Sequence, residues 1–188
     1  MECINHFRDR GIELWICSGD QAATTSRVAR ELKVLNWIGD ALPQDKASLV
    51  KRLTVKYGSV AFVGDGINDA PALAAADLGI AFGAGSHVMV DAADVVLVRS
   101  NLNDVRAFLF LSRRTMWTIR MNFFWAFAFN IIGLPLAAGV LYPNVHMPPI
   151  LAGSAMAGSS LVVVLNSLTL RLFRRQKHVP GATESVVA

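Results

Sequence analysis

An eight-residue segment, Gly64–Pro71 (GDGINDAP), contains the residue types that bind a metal ion and a phosphate group. Its glycine and polar positions are Gly64, Asp65, Gly66, Asn68 and Asp69. Two carboxylates and one amide within five residues suit a hard cation such as Mg²⁺, and the glycines let the backbone approach a phosphate closely. Asp-Gly and Asn-Asp also occur in ordinary turns, but the whole string directly after an apolar run predicts a site for Mg²⁺ and phosphate.

Two segments that precede this loop carry further groups able to hold a phosphate. Lys46 follows Asp45 at the predicted start of a helix, where its ammonium group can act as a point cation. Ser18, Gly19 and Asp20 follow an earlier apolar run, and their hydroxyl and backbone N–H groups can bind phosphate oxygens. Taken alone, the first is more simply a solvated surface pair and the second a turn. Their order along the chain favours one shared site.

Short apolar runs alternate with helix-like stretches through the first hundred residues. The predicted strands are Ile12–Cys17, Val60–Val63, Leu78–Phe82 and Val95–Val98, and the predicted helices are Ala22–Leu32, Ala47–Tyr57, Ala70–Ala76 and Val88–Ala93. Apolar strands alternating with helices predict a parallel sheet that is covered on both faces. Ligands of such sheets bind at the carboxyl ends of the strands, where the loops with Asp20 and Gly64–Gly66 begin.

The second half of the chain has a membrane-like composition. Hydrophobic residues make up 53% of the protein and charged residues only 17%, and Met121–Leu141 and Met147–Leu170 are uncharged runs of 21 and 24 residues. A helix of 21 residues is about 31 Å long, the thickness of a hydrocarbon core. We therefore expect two transmembrane helices joined by the short linker Tyr142–His146. Two buried helices of a soluble core would fit neither these lengths nor the basic flanks.

Basic residues flank both uncharged runs. They are Arg113, Arg114 and Arg120 before the first, and Arg171, Arg174, Arg175 and Lys177 after the second. Because the linker has no Lys or Arg, both ends are expected in the cytosol, as part of an integral, multi-pass membrane protein. This placement explains the net charge of +4 through topology and anionic lipid rather than through nucleic acid.

These patterns divide the chain into four predicted parts. A soluble part covers residues 1–100, and a stalk helix capped by Asn101 covers residues 101–120. Two membrane helices cover residues 121–170, and a cytosolic tail covers residues 171–188. Cys3 and Cys17 have no paired spacing that would indicate zinc or a disulfide framework.

The three chemical segments resemble the motifs of P-type ATPases. Ser18–Asp20, Pro43–Lys46 and Gly64–Pro71 are similar to the family's Thr-Gly-Asp, Pro-x-Asp-Lys and Gly-Asp-Gly-x-Asn-Asp-x-Pro motifs, with serine in place of threonine. The similarity continues through Ala74–Val98 into both apolar runs. It implies the C-terminal part of a pump: an α/β haloacid-dehalogenase-like (Rossmannoid) phosphorylation-domain fragment, followed by an α-helical two-span transmembrane hairpin.

The resemblance also implies roles for the site residues. Asp65 and Asp69 are the expected Mg²⁺ ligands, and Asn68 supports the loop and the metal-bound phosphate. Lys46 stabilises charge on the phosphoryl group, and Ser18 donates a hydrogen bond to it. The implied reaction transfers a phosphoryl group from ATP to an enzyme aspartate and then hydrolyses the acyl phosphate.

The family's nucleophile lies in an Asp-Lys-Thr-Gly-Thr motif that this sequence does not contain. The only Asp-Lys, Asp45-Lys46, continues as Ala-Ser. The nucleotide-binding domain is also absent. We therefore expect no phosphoenzyme from this chain alone, and we expect the N-terminal part of the pump to be its partner.

The second apolar run carries soft and polar side chains in helical spacing. Met156, Ser159 and Ser160 share one helix face, and Asn166 and Ser167 lie near its continuation. A thioether suits Cu(I). Spacing alone favours a simpler interpretation, in which small residues and a gap-filling methionine pack against another helix.

The family resemblance reverses that preference. Met-x-x-Ser-Ser in the last span is similar to copper-transporting members, which pair it with Tyr-Asn in the preceding span. This chain has Phe129-Asn130 there, so Asn130 matches and Phe129 lacks the hydroxyl. The implied cargo is Cu(I), with Asn130, Met156, Ser159 and Ser160 as its ligands. Alternatives are a zinc or silver pump, a non-catalytic membrane accessory subunit and a membrane-anchored phosphatase.

Overall fold

The computed structural model describes residues 2–83, 87–140 and 148–172 of the 188-residue chain. For residues 2, 87–89, 149, 151, 152, 155 and 156 it describes the backbone only. The chain forms two compact units, Met1–Arg106 and Ala107–Ala188. The predicted boundaries at residues 100, 120 and 170 remain predictions.

The first unit alternates strands and helices. Its strands are β1 (Trp15–Cys17), β2 (Asn36–Ile38), β3 (Ala61–Gly64), β4 (Leu78–Phe82) and β5 (Val95–Leu97). Its helices are α1 (Glu2–Arg8), α2 (Ala22–Glu31), α3 (Pro43–Tyr57), α4 (Ala70–Ala75) and α5 (His87–Ala92), with a 3₁₀ turn at Ile67–Asp69. The predicted alternation is therefore confirmed, and α1 and β2 are elements that the sequence patterns did not reveal.

All strand pairings in the described residues are parallel, as the apolar strands predict. They form two sheets rather than the expected single one: β1 pairs with β2, and β3, β4 and β5 form a second sheet in that order. Apolar patterning predicts the direction of pairing but not which strands are neighbours. A three-residue strand such as β2, which includes a polar Asn36, is also too short to show a pattern.

The core of the first unit lies between α4 and the second sheet. Leu73 and Ala81 are each 1% exposed, and Phe62 and Val96 pack against them. Gly79 is essential to this packing, because a Cβ there would lie 2.7 Å from the backbone oxygen of Leu73. The backbone of α4 therefore rests directly on β4.

The second unit consists mainly of two long helices. The earlier one starts at Leu102, a few residues before the boundary between the units at Arg106. Helix α6 covers Leu102–Ala137, and α7 covers Pro149–Leu168 before a 3₁₀ turn at Thr169–Leu172. The predicted cap is confirmed, because the side-chain Oδ1 of Asn101 accepts a 2.8 Å hydrogen bond from the backbone N–H of Asn103.

Helix α6 ends earlier than the predicted span Met121–Leu141. Gly139 has a φ of +77°, its N–H bonds to the oxygen of Leu136, and the N–H of Val140 bonds to the oxygen of Pro135. This pair of bonds around a left-handed glycine is a Schellman motif, which stops a helix. The predicted linker, Tyr142–His146, lies outside the described residues.

The described residues support one membrane span by length and composition. Helix α6 has 36 residues, and an apolar stretch within it has a mean hydropathy of 1.3 and no buried residues. A shorter apolar stretch, Ala157–Leu172, covers the second half of α7 and the 3₁₀ turn that follows it. The predicted Met147–Leu170 span therefore remains a proposal, although α7 occupies most of it.

Replacing Gly79 with alanine should loosen the second sheet, because the added methyl group meets the backbone of Leu73 and not a flexible side chain. Overpacking of this kind costs about 1–3 kcal/mol. Hydrogen exchange of peptides covering β3 to β5, measured by mass spectrometry in detergent, should accelerate in Gly79→Ala. Gly19→Ala is the matched control, because its Cβ would meet its nearest atom at an ordinary 3.4 Å. Equal exchange in the two variants would contradict this account.

Candidate functional site

The loop after β3 is shaped around the buried carboxylate of Asp69. This residue is only 7% exposed, and its Oδ2 accepts a 3.4 Å hydrogen bond from the backbone N–H of Gly66. A Cβ at Gly64 would lie 2.8 Å from both Cβ and Oδ2 of Asp69. Glycine at position 64 is therefore required sterically, because the carboxylate occupies the space that a side chain would need.

Lys46 reaches this carboxylate from α3. Its Nζ lies 2.7 Å from Oδ1 of Asp69, and the side chains of the two residues are 13% and 9% exposed respectively. The start of α3 is well defined, because Pro43 occupies its first turn and Oδ2 of Asp45 accepts a 3.0 Å hydrogen bond from the N–H of Leu42. The sequence placed Lys46 and Asp69 in one site, and the structure brings them into direct contact.

The loop after β1 is held by its own side chains and by the loop after β2. The hydroxyl of Ser18 donates to Oδ2 of Asp20 at 3.0 Å and accepts from the N–H of Asp20 at 3.2 Å. The N–H of Ala41 bonds to the oxygen of Ser18, and the N–H of Asp40 bonds to the oxygen of Asp20. The Ser18 hydroxyl is therefore presented on a braced turn.

Sequence reasoning missed the residues that brace this turn. Asp40 has a φ of +53° and accepts a 3.0 Å hydrogen bond from the N–H of Ala22 at the start of α2. A Cβ at Gly39 would lie 2.6 Å from the Cα of Ala22. Gly-Asp is a common turn pair, but its role depends on β2, which the sequence did not reveal.

The thiol of Cys17, the last residue of β1, is partly buried. Burial raises the pKa of the Cys17 thiol above its ordinary value. The positive charge of Lys46 lowers that pKa, whereas the negative charges of Asp69 and Asp45 raise it.

Asp65 and Asn68 are exposed, and within the described residues their side chains make no hydrogen bond. Mg²⁺ in phosphate sites takes one or two protein carboxylates and fills its shell with phosphate and water. Asp65 fits that requirement. Both carboxylate oxygens of Asp69 already have donors, so the geometry favours Asp65 as the metal ligand and Asp69 as the group that orients Lys46. No cluster of three or more His, Cys, Asp or Glu side chains suited to a metal occurs in the described part of the chain.

The residues predicted to bind the transported metal lie on α6 and α7. Asn130 is exposed, and its Nδ2 donates a 2.7 Å hydrogen bond to the oxygen of Ala126, so its Oδ1 is the atom available to a ligand. Ser160 is exposed and Ser159 is partly exposed. Position 156 lies within α7, but the side chain of Met156 lies outside the described atoms.

Comparisons with known proteins agree with this arrangement. Two family models, both for haloacid dehalogenase-like hydrolases, match residues 1–77 and 46–109. The chain is 46% identical over 178 residues to the copper-transporting ATPase HMA5 of Oryza sativa subsp. japonica, covering 94% of this chain and 18% of that protein. It is 49% identical over 170 residues to a probable copper-exporting P-type ATPase of Archaeoglobus fulgidus, covering 89% of this chain and 21% of that protein.

Solved structures add a match that includes the helical unit. A crystal structure of a zinc-transporting PIB-type ATPase in the E2P state superposes with a TM-score of 0.78 at 32% sequence identity, covering 90% of this chain and 27% of that one. The chain thus spans about one fifth of its curated relatives and about one quarter of this pump. It belongs to the P-type ATPase family, within the heavy-metal branch.

Proposed function

We propose that this chain is the C-terminal part of an ATP-driven heavy-metal exporter whose cargo is Cu(I). The observation that carries the proposal is the partly buried Lys46–Asp69 ion pair beside the exposed carboxylate of Asp65. The pair holds a cation at the loop that carries a candidate Mg²⁺ ligand, and both groups support phosphoryl transfer.

The chemistry divides between this chain and the rest of the pump. An aspartate of the N-terminal part attacks the γ-phosphorus of ATP, the bond to the bridging oxygen breaks, and ADP leaves. Lys46 stabilises the negative charge on the transferring group through Nζ, which Asp69 holds in place. The Ser18 hydroxyl, which donates to Oδ2 of Asp20 in this structure, would give up that bond and donate its hydrogen to a phosphoryl oxygen. Mg²⁺, with Asp65 as a ligand, neutralises phosphoryl charge when bound. Water then hydrolyses the aspartyl phosphate.

The sheet topology supports a shared active site. Among the described residues β1 and β3 each pair on one side only, and the loops after these two strands carry Ser18 and Asp65. A parallel strand from the N-terminal part, placed between β1 and β3, would join the two sheets into one. Its carboxyl end, where a nucleophile belongs, would then lie between the two loops.

Two kinds of observation support copper as the cargo. The relatives that are 46% and 49% identical carry copper in their names. Met156 supplies a soft thioether, and Asn130 retains a side-chain oxygen. Zinc is the second candidate, because the matching crystal structure is of a zinc-transporting pump.

The proposed location is a membrane, with the first unit and both ends of the hairpin in the cytosol. The basic residues before and after the apolar helices support this orientation. Exposed aromatic side chains such as Phe123, Phe124 and Phe127 on α6 suit contact with lipid or with the remaining spans.

The first test concerns Asp65. In a chimera that joins this chain to the N-terminal part of the Archaeoglobus fulgidus relative, Asp65→Asn should abolish the hydroxylamine-sensitive labelling by ³²P-labelled ATP, because a neutral amide is a poor Mg²⁺ ligand. Asp91→Asn, a change at an exposed carboxylate on α5, is the control and should label normally. Normal labelling of Asp65→Asn would remove this residue from the metal site.

The second test concerns Lys46. In the same chimera Lys46→Ala should slow phosphorylation by roughly 10²–10³-fold, the loss typical when one charge-stabilising group is removed. Lys51→Ala, at an exposed position on the same helix, should change the rate little. Rapid-quench measurement of phosphoenzyme formation distinguishes them, and equal rates would contradict the assigned role.

The third test concerns the cargo. Met156→Leu preserves most of the side-chain volume and removes the soft ligand, so it should lower the Cu(I) stoichiometry of the membrane part while phosphorylation by inorganic phosphate persists. Met116→Leu, at an exposed methionine of α6, is the control. If Met156→Leu binds Cu(I) normally but loses zinc-stimulated turnover, copper is the wrong cargo and zinc is supported.

A further inference from the structure

Four polar residues form a hydrogen-bonded network between α6 and α7, three through their side chains and Thr118 through its backbone oxygen. They are Thr118 and Asn122 of α6 and Asn166 and Ser167 of α7, called here the amide cluster. Asn166 donates its Nδ2 hydrogen to Oδ1 of Asn122 at 2.7 Å, and Asn122 donates its own Nδ2 hydrogen to Oγ of Ser167 at 2.9 Å. One side chain of α6 thus bonds to two consecutive residues of α7.

The two hydroxyl groups of the amide cluster donate to backbone oxygens of their own helices. The hydroxyl of Ser167 donates to the oxygen of Val163 at 2.9 Å, and the hydroxyl of Thr118 donates to the oxygen of Arg114 at 3.1 Å. Thr118 is only 5% exposed, and its backbone oxygen lies 3.5 Å from Nδ2 of Asn166. The cluster is therefore a connected network rather than one incidental contact.

This network resists sliding of one helix along the other. A shift of one helical turn is about 5.4 Å, nearly twice the length of a hydrogen bond, so it would break both amide bonds of Asn122 together. Toward the middle of α7, the residues one turn from Asn166 and Ser167 are Val162 and Val163, whose apolar side chains offer the Asn122 amide no replacement partner.

The amide cluster also determines where the predicted metal ligands lie along the pair. Fifteen residues separate Asn122 from the end of α6, and seventeen separate the start of α7 from Asn166. If the helices ran parallel, these ends would be about 48 Å apart, more than the roughly 43 Å that the twelve intervening steps can reach. The helices therefore run in opposing directions from the cluster.

Asn130 and position 156 lie at nearly the same distance from the amide cluster, measured along their helices. Asn130 lies eight residues beyond Asn122, about 12 Å along α6, and position 156 lies ten residues before Asn166, about 15 Å along α7. The difference of about 3 Å is within the span of a single metal site. A slip of one turn would raise this difference to about 8 Å in one direction; in the other it would leave about 2 Å with the order of the two positions reversed.

We propose that Asn122, Asn166 and Ser167 are positioning residues whose hydrogen bonds fix the register of α6 against α7 and so align Asn130 with the Met156–Ser160 segment. The register itself follows from the hydrogen bonds; only its consequence for metal binding rests on the proposed function. Two separate measurements test these parts.

The first measurement uses the 188-residue chain in phospholipid nanodiscs, without metal. Cys3 and Cys17 are replaced by serine, and spin labels are attached through Met116→Cys and Leu161→Cys, both at exposed positions and offset by about 16 Å along the helix axes. Double electron–electron resonance should give one narrow distribution of the distance between the two labels. Asn122→Leu or Asn166→Leu should broaden it or shift it by about one turn, roughly 5 Å.

Thr169→Val is the matched control for this measurement. Its hydroxyl donates to the oxygen of Asn166 within its own chain segment, so its loss removes a hydrogen bond near the amide cluster without touching the bonds between the helices. The distribution should stay narrow in this variant. A distribution that is equally narrow and centred in all variants overturns the proposal.

The second measurement uses the chimeric pump and reads the Cu(I) concentration for half-maximal ATPase activity. Asn122→Leu and Asn166→Leu should each raise it roughly three- to twenty-fold, the range for hydrogen bonds between membrane helices. The effect of the double variant should be smaller than the product of the two single effects, because both variants lose the bond between Asn166 and Asn122. Phosphorylation by inorganic phosphate should stay within about two-fold.

Two substitutions at Ser167 test whether the hydroxyl group itself is needed. Ser167→Ala removes the acceptor of the Asn122 amide and should raise the half-maximal Cu(I) concentration, whereas Ser167→Thr keeps the hydroxyl and should restore it. Additive losses in the double variant, or equal effects of alanine and threonine, overturn the positioning role. If the unmodified chimera shows no stimulation by Cu(I), the proposed function fails, and the distance measurement still decides the register.

Discussion

The ion pair between Lys46 and Asp69 is the interaction on which the rest of the site depends. Its charges are largely withdrawn from water, so each needs the other, and removing one partner of such a pair typically costs about 3–5 kcal/mol. The same carboxylate fills the space above Gly64 and accepts the N–H of Gly66. One side chain therefore shapes the loop after β3 and orients the lysine of α3.

Much of this site follows from the sequence because its parts are local. The glycine-rich loop, the cap at Asn101 and the position of Lys46 in the first turn of a helix all depend on a few neighbouring residues. The partner of Asp69 was not predictable in this way, because a lysine 23 positions earlier is brought to it by the packing of α3. The brace at Asp40 was missed for a related reason, since it needs β2.

In the second unit, too, some features depend on neighbouring residues and others on residues far apart in the chain. The long apolar run predicts a helix, and the left-handed glycine at position 139 ends it. No role could be predicted for Asn122 from the sequence, because it lies beside the basic residues at the start of the apolar run. Its role emerges only from Asn166, 44 residues later, and Ser167, which meet it across the helix pair.

The central claim is that this chain supplies the phosphate-binding half of an active site whose nucleophile lies elsewhere. The most direct measurement mixes the purified chain with the separately purified N-terminal part of the Archaeoglobus fulgidus relative and adds ³²P-labelled ATP, Mg²⁺ and Cu(I). We expect a hydroxylamine-sensitive label that forms only when both parts are present and that resides on the N-terminal part. A label on the 188-residue chain, or an equal label without it, would contradict the account.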